Sequence, residues 1–227
     1  MALPVAVQLY SVRDSVEADM ASALRKIKDM GYDGVEFAGL YGHSADYIRG
    51  LLDAIGLVPI SAHVPLVEML ADPDGTFETY KKIGCRFVAV PYVTEERRPG
   101  AEDFFKTIDE IAALGKTAKK YGITLLYHNH DFEFKKVDGE YGLDILYKKV
   151  PAAYLQTELD TCWVNVGGED PAAYLTKYSG RTPVVHLKDF NIEGKLPKHL
   201  YALIGMDDEK DDDEPSSFEF RPVGHGM

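Results

Sequence analysis

Residues 104–129 read FFKTIDEIAALGKTAKKYGITLLYHN and contain one complete helix-to-strand unit. Apolar residues recur every three or four positions from Phe104 to Ala118, which predicts an amphipathic helix. Gly122 ends that helix, and the near-continuous apolar run Ile123–Asn129 is typical of a parallel strand covered on both faces. The segment therefore predicts a helix packed against a buried parallel sheet.

The same unit recurs along the chain. The apolar runs span residues 4–10, 33–37, 57–63, 86–92, 123–129, 155–160 and 183–188, and helical periodicities lie between them at 16–30, 45–55, 77–83, 104–118, 143–149 and 171–178. A repeat of roughly 30 residues is typical of a βα unit. Seven units in series favour a (β/α)8 TIM-type barrel over an open doubly wound sheet, and no Gly-x-Gly-x-x-Gly motif follows the first run.

The end of the chain departs from this pattern. We expect a single barrel domain over residues 1–227, but the residues after the seventh run leave no room for an eighth βα unit. Either the chain is truncated or the barrel closes by other means. Residues 207–214 hold seven carboxylates and one lysine and predict a mobile acidic insertion. A divalent-ion loop is the alternative, although the segment lacks the glycine and the distal glutamate of an EF-hand.

Composition excludes several classes of protein. The chain has 25 Lys and Arg against 37 Asp and Glu, a net charge of −12 that argues against a nucleic-acid partner. No apolar run reaches the roughly 18 residues of a membrane span, and the N-terminus lacks the basic region of a signal peptide. With only two cysteines, Cys85 and Cys162, a reducing cytoplasmic location is the expectation.

Polar and ionisable side chains concentrate where the predicted strands end. In a barrel these ends converge on one mouth, so the residues there are candidates for a functional site. They are Gln8, Tyr10, Glu36, His63, Tyr92, His128, His130, Glu158, Asp160, His186 and Lys188. Three consecutive strands each carry two ionisable residues spaced by two positions, and residues so spaced point to the same side of a strand.

This arrangement predicts a divalent-metal site. Buried carboxylates cost several kcal/mol unless they are paired or bind a metal. We therefore expect His128, Asp160 and His186, with Glu158 as a further carboxylate, to hold one metal ion. Mixed imidazole and carboxylate ligands suit Mn, Fe, Co or Zn better than Ca or Mg. For any one of these histidines, a purely structural role at the barrel mouth is the alternative.

Several motifs together resemble a known family, the sugar phosphate isomerase/epimerases of the xylose isomerase-like TIM barrel superfamily. That superfamily also includes endonuclease-IV-type and inosose-dehydratase-type proteins. The resemblance covers nearly the whole chain. The motifs are Val7-Gln8-Leu9-Tyr10-Ser11, Gly31-Tyr32-Asp33-Gly34-Val35-Glu36, Ser61-Ala62-His63, His128-Asn129-His130, Leu159-Asp160-Thr161, Val185-His186-Leu187-Lys188-Asp189 and Phe220-Arg221-Pro222-Val223-Gly224-His225-Gly226.

The resemblance implies one bound divalent metal ion, with Mn foremost and Zn, Co, Fe or Mg as alternatives. It carries the family's Asp and His ligands onto Asp160 and His186. His128 occupies the position of the strand-5 Glu ligand, and the strand-8 Glu is absent because the chain ends first. Glu158 is unusual at its position and is a candidate substitute ligand. Trp163 stands where a His often follows the strand-6 motif.

The implied activity is a metal-dependent isomerase or epimerase that removes a proton next to the carbonyl of a sugar or polyol. His130 and Glu36 are the candidate acid/base pair. The candidate substrate contacts are Gln8, Tyr10, His63, Lys188 and Trp163. The alternatives are a dehydratase of inosose-dehydratase type and a non-catalytic sugar-binding barrel with a degraded metal site. The acidic surplus disfavours an endonuclease-IV-type nuclease. An incomplete barrel would expose strand edges that a second copy of the chain could cover, so a homo-oligomer is a further expectation.

Overall fold

The computed structural model describes residues 3–194, 200–201 and 218–227, and its centre is a seven-stranded parallel sheet. The strands are β1 Ala6–Gln8, β2 Gly34–Ala38, β3 Val58–His63, β4 Phe87–Val90, β5 Thr124–His128, β6 Lys136–Val137, β7 Glu140–Tyr141, β8 Gln156–Asp160, β9 Val184–His186, β10 Asp189–Asn191 and β11 Glu219–Arg221. Outside the main sheet, β6 pairs with β7 and β10 pairs with β11, both antiparallel. The sheet order is β1-β2-β3-β4-β5-β8-β9, and each of these strands overlaps one predicted run.

Helices connect the strands and form the outer layer. They are α1 Arg13–Asp29, α2 Ala45–Ile55, α3 Leu66–Ala71, α4 Pro73–Ile83, α5 Phe104–Lys120, α6 Gly142–Lys149, α7 Thr161–Val166 and α8 Pro171–Lys177. All six predicted helices are present, whereas α3 and α7 were not predicted. The ends of α2 follow from its sequence, because the Ser44 side chain accepts a hydrogen bond from Tyr47 N and Gly56 ends the helix at φ 78°. None of the helices in the described ranges combines the length and hydropathy needed to cross a bilayer.

Alternation along the strands separates an apolar outer face from a polar inner face. On β2, Val35 and Phe37 are fully buried in the main apolar cluster that joins the sheet to the helices. Glu36 lies between them and points to the opposite face. On β8, Leu159 belongs to the same apolar cluster while Glu158 points inward. The period of two therefore delivers carboxylates to the inside of the barrel.

The seven-stranded sheet curls into a barrel wall. His63 Nε2 at the end of β3 lies 2.7 Å from Glu158 Oε2 on β8, although these strands are three positions apart in the sheet. In a flat sheet they would lie roughly 14 Å apart at about 4.8 Å per strand. Among the described residues no strand joins β9 to β1, so the sheet keeps two edges. The predicted TIM-type barrel is confirmed, and the residues that the structure describes contain seven of its parallel strands.

The C-terminal strand β11 pairs with β10, which follows β9 closely along the chain. β10 and β11 form an antiparallel pair, and Asp189 Oδ2 accepts hydrogen bonds from the backbone N–H groups of Gly224, His225 and Gly226 at 2.8–3.1 Å. A side chain at position 226 would collide with Asp189 Oδ1, since an added Cβ would lie 2.1 Å from it. The loop therefore needs glycine there. The predicted acidic insertion at 207–214 lies outside the described residues.

Candidate metal centre

Four ionisable side chains from four strands meet inside the barrel. They are Glu36 from β2, His63 from the end of β3, Glu158 from β8 and His186 from the end of β9, and we call them the four-residue cluster. One ligand atom of each lies within 4.8 Å of those of the other three. His63 Nε2 is 2.7 Å from Glu158 Oε2 and 3.5 Å from Glu36 Oε2. His186 Nε2 is 2.6 Å from Glu36 Oε2 and 3.5 Å from Glu158 Oε1.

Both carboxylates of the cluster are buried, with Glu36 4% and Glu158 0% exposed. Burial raises the pKa of Glu158 well above its usual value, and the neighbouring Glu36 carboxylate adds to the increase. Burial also opposes ionisation of Glu36, but His63 and His186 hold its pKa well below the usual value. For His186, burial acts to lower the pKa, but Glu158 and Glu36 together raise it. The two carboxyl groups therefore compete for the positive charge of the same two imidazoles, and Glu36 is the one whose ionised form these imidazoles favour.

The donor set fits a divalent cation. In the form that would bind a metal, with both acids ionised and both imidazoles neutral, the cluster would carry two negative charges, and within the described ranges every ion pair of Glu36 and Glu158 is with a histidine. In the same ranges, one oxygen of each carboxylate, Oε1, is buried and accepts no hydrogen bond from another side chain, and the two carboxyl groups can hydrogen-bond to each other only when one of them is protonated. A bound divalent ion would neutralise the charge and coordinate these oxygens, and two imidazoles with two carboxylates suit Zn or Mn. Residues that could hold a metal are thus present.

Asp160 and His128 form a separate pair beside the cluster. Asp160 Oδ2 lies 2.9 Å from Lys188 Nζ, 3.2 Å from His128 Nε2 and 3.9 Å from His186 Nδ1. Its Oδ1 accepts the backbone N–H of Trp163 at 3.1 Å and so caps α7. Burial acts against ionisation, but Lys188 and His128 hold the pKa of Asp160 far below its usual value. Asp160 is therefore an ionised carboxylate already balanced by a lysine.

The residues predicted as metal ligands thus divide between two groups. Glu158 and His186 lie in the four-residue cluster, whereas Asp160 and His128 form the neighbouring pair. Glu36 and His63, predicted for catalysis and substrate binding, complete the cluster. His128 also belongs to a second, overlapping group with His63 and His186, in which one nitrogen of each lies within 4.8 Å of the others.

His130 lies next to His128 and is enclosed by aromatic rings. Its ring centroid lies 5.0 Å from that of His128, 5.4 Å from Phe132, 5.2 Å from Trp163 and 5.3 Å from Tyr92. The side chain is 3% exposed, Nδ1 has no hydrogen-bond partner, and burial lowers the pKa well below the usual value. His130 is therefore a neutral imidazole in an aromatic wall beside the cluster.

Two of the predicted substrate contacts, Gln8 and Trp163, lie against charged residues of the site. Gln8 Nε2 donates to Glu36 Oε2 at 2.7 Å, and Gln8 Oε1 accepts the backbone N–H of Tyr10 at 2.9 Å. Trp163 is fully buried, and Lys188 Nζ lies 5.5 Å from its ring centroid. Gln8 thus orients a carboxylate of the cluster, and Trp163 supports the lysine that neutralises Asp160.

Glu133 was not predicted from the sequence, although it lies only three residues after His130. Its Oε1 accepts the Tyr127 hydroxyl at 2.6 Å and its Oε2 accepts the backbone N–H of His130 at 2.7 Å. Burial raises the pKa of Glu133 to about 8. The carboxyl group fixes the backbone that carries His128 and His130. A glutamate between two phenylalanines, in Phe132-Glu133-Phe134, was the available signal.

Comparison with known proteins agrees with this architecture. An inosose dehydratase from Bacillus thuringiensis (strain Al Hakam) is 32% identical over 92 residues, which are 40% of this chain and 30% of that protein. The alignment therefore spans less than a third of that relative's length. A solved sugar phosphate isomerase/epimerase from Parabacteroides distasonis ATCC 8503 has a TM-score of 0.74 at 21% identity, over 88% of this chain and 82% of that one.

A further solved structure, the IolI protein with a bound zinc atom, has a TM-score of 0.66 at 17% identity, over 83% of this chain and 74% of that one. At these identities the structural likeness shows the fold. The sequence profile of the family described as xylose isomerase-like TIM barrel matches residues 24–227. Because this match covers nearly the whole chain, the protein belongs to the xylose isomerase-like TIM barrel family.

Proposed function

We propose that the protein binds one divalent metal ion through the four-residue cluster and removes a proton next to the carbonyl of a polyhydroxylated substrate, with loss of water as the outcome. The observation that carries this proposal is the burial of two facing carboxylates, Glu36 and Glu158, whose ion pairs among the described residues are all with imidazoles. Keeping both carboxylates ionised in this site is costly unless a cation lies between them.

A divalent ion bound there would act as a Lewis acid that polarises the substrate carbonyl. The candidate base is His128. With Nε2 protonated and donating to Asp160 Oδ2, Nδ1 is the basic nitrogen, and it has no hydrogen-bond partner. Burial lowers the pKa of His128 to about 3, so its imidazole is neutral at pH 7 and Nδ1 is unprotonated. The carboxylate of Asp160 orients the ring and opposes part of the effect of burial on its protonation.

His130 is the second candidate for proton transfer, because its Nδ1 is also without a partner and its ring lies 5.0 Å from that of His128. The aromatic rings around it shield its imidazole from water. Lys188 and Gln8 are candidate hydroxyl contacts. Since Gln8 already donates to Glu36, its first effect is on the orientation of that ligand.

Dehydration, rather than isomerisation or epimerisation, is supported by the similarity to inosose dehydratase over 92 residues. All three reactions begin with the same proton removal and differ in the step after it. A divalent ion in the site is supported by the donor set, and the zinc-bound IolI protein shares the fold. Zn and Mn are the metals we propose first.

The proposal is tested by measuring metal content and turnover of the same preparations. Elemental analysis should find about one equivalent of divalent ion in the wild type and in Glu78→Gln, which changes an exposed carboxyl on α4, and almost none in Glu158→Gln. Turnover is measured by mass spectrometry in D₂O on an inosose, a ketohexose and a ketose phosphate. A product lighter by one water indicates dehydration, whereas an unchanged formula with deuterium incorporated indicates isomerisation.

Two further results bear on the assignment. His128→Gln should keep the metal and lose turnover, and loss of the metal would instead make His128 a ligand. A wild type without bound metal contradicts the proposal. A metal-bound wild type that turns over none of the substrates indicates a sugar-binding barrel without activity.

A further inference from the structure

Arg98 lies at the same end of the barrel as the candidate site, in the loop between β4 and α5. Its guanidinium carbon is 4.4 Å from the ring centroid of Phe132 and 5.3 Å from those of Tyr92 and Tyr201. The side chain is only 18% exposed. We call Arg98 and these three rings the Arg98 box.

The guanidinium lacks a buried counter-charge. Nη2 donates to the Tyr92 hydroxyl, Nη1 reaches Glu95 Oε1 only at 3.4 Å, and the Glu95 side chain is 87% exposed. Nε is buried and has no hydrogen-bond partner. A guanidinium offers five N–H donors, and a buried donor left unpaired costs free energy.

The neighbouring arginine shows the contrast. Arg97 Nη1 lies 2.5 Å from Glu110 Oε2 and 3.0 Å from Thr107 Oγ1, so its charge is balanced by a partner on α5. Arg97 therefore has a partly buried carboxylate partner, whereas among the described residues Arg98 has only the exposed Glu95 carboxylate at 3.4 Å and keeps one buried donor, Nε, without a partner.

The Arg98 box shares its walls with the candidate site. Phe132, Tyr92 and Tyr201 each contact His130, at ring-centroid distances of 5.4, 5.3 and 5.8 Å. His130 in turn lies next to His128, which adjoins the four-residue cluster. The Arg98 box and the candidate site therefore lie side by side and share the rings around His130.

We infer that Arg98 binds an oxyanion, either a carboxylate or a phosphate, at the end of the substrate remote from the four-residue cluster. A guanidinium pairs with either group through two parallel charge-assisted hydrogen bonds, and the aromatic rings shield these bonds from water. This inference rests on the proposed function for the polyhydroxylated nature of the substrate. It narrows the substrate class to sugar acids and sugar phosphates.

Calorimetric titration tests the inference without turnover. The ligands are inorganic phosphate, gluconate, ribose 5-phosphate and neutral myo-inositol. The variants are Arg98→Gln and Arg86→Gln, the second of which removes an exposed arginine 5.6 Å from the Phe87 ring at the opposite end of β4. The three anions should bind the wild type and Arg86→Gln equally and Arg98→Gln about 10- to 100-fold more weakly. Which anion binds tightest distinguishes a sugar acid from a sugar phosphate.

Arg98→Lys is a second variant that tests the same inference in case Arg98→Gln does not fold. It keeps the charge but not the planar fork, so phosphate binding should be weakened less than in Arg98→Gln. Equal binding of the anions to the wild type and Arg98→Gln, or no anion binding by the wild type, overturns the inference. The metal site and the anion site can be tested separately. Glu158→Gln should lose the metal and still bind inorganic phosphate, so a failure of the proposed function would leave the result for Arg98 unchanged.

Discussion

Glu36 Oε2 and His186 Nε2 lie 2.6 Å apart, although the two residues are separated by 150 positions in the sequence and five positions in the sheet. In a flat sheet β2 and β9 would lie roughly 24 Å apart at about 4.8 Å per strand. The contact therefore depends on the curl of the whole sheet, and the candidate metal centre exists only when the barrel wall is complete from β2 to β9.

The Asp160–Lys188 pair should contribute measurably to stability. Asp160→Asn leaves Lys188 without its carboxylate, and breaking a buried pair costs about 3–5 kcal/mol. Because Lys188 is 31% exposed, solvent screening reduces the cost, and we expect a loss below that range, roughly 2–3 kcal/mol. Urea unfolding measures the loss.

The matched control is Asp46→Asn, which breaks the exposed Asp46–Lys82 pair at 2.7 Å and should cost less than about 1 kcal/mol. Asp160→Asn should also retain the metal, because in the wild type the Asp160 carboxylate is paired with Lys188 and is not one of the proposed ligands. Equal stability of the two variants, or complete metal loss in Asp160→Asn, would contradict this description of Asp160.

Glu133 should make stability depend on pH. Burial raises its pKa from 4.5 to about 8 in the folded protein, so between these values the folded state keeps a proton that the unfolded chain has released. The free energy of unfolding then falls as pH rises from about 4.5 to 8, by at most about 1.4 kcal/mol per pH unit. Glu133→Gln has no proton to lose and should flatten this slope.

The measurement is chemical denaturation at several pH values, comparing slopes rather than absolute stabilities. The exposed Glu78→Gln variant should keep the wild-type slope. Parallel pH profiles for the wild type and Glu133→Gln would show that Glu133 does not titrate in this range.

Two helical glycines should respond oppositely to alanine. At Gly115 on α5, an added Cβ would lie 2.0 Å from the Tyr154 carbonyl oxygen, so the helix must move away from its neighbour. Gly115→Ala should destabilise the protein by about 1–3 kcal/mol or more. Gly50 on α2 is exposed with no atom near the added Cβ, and Gly50→Ala should stabilise by about 0.5–1 kcal/mol.

Thermal and urea unfolding of both variants check this prediction. A tolerated Gly115→Ala would mean that α5 does not approach residue 154 so closely. A destabilising Gly50→Ala would mean that position 50 is not free.

The sequence could predict the fold because its signals are local. Apolar runs such as Ile123–Asn129 and helix-ending glycines such as Gly56 and Gly122 depend on neighbours along the chain. They predicted the seven strands of the parallel sheet and six of the eight helices found in the described residues. Helices α3 and α7 were missed because each is only six residues long, too short to show a helical period.

The sequence predicted less well which residues form the candidate site. The sequence identified the strand-end residues, but which of them meet depends on sheet curl and on local competition for each side chain. Asp160 lies at a strand end, but α7 begins at the next residue and uses one carboxylate oxygen as its cap, while Lys188 pairs with the other. Glu36 and His63 could be placed beside Glu158 only by knowing how far the sheet closes.

Anomalous X-ray diffraction from crystals grown with Mn²⁺ or Zn²⁺ is the decisive experiment for the four-residue cluster, because it locates the ion without assuming its ligands. We predict one anomalous peak about 2.0–2.3 Å from ligand atoms of Glu36, His63, Glu158 and His186. The same peak should be absent in Glu158→Gln crystals. A peak coordinated by Asp160 and His128 without Glu36, or no peak in the barrel at all, would contradict the assignment of the metal to this cluster.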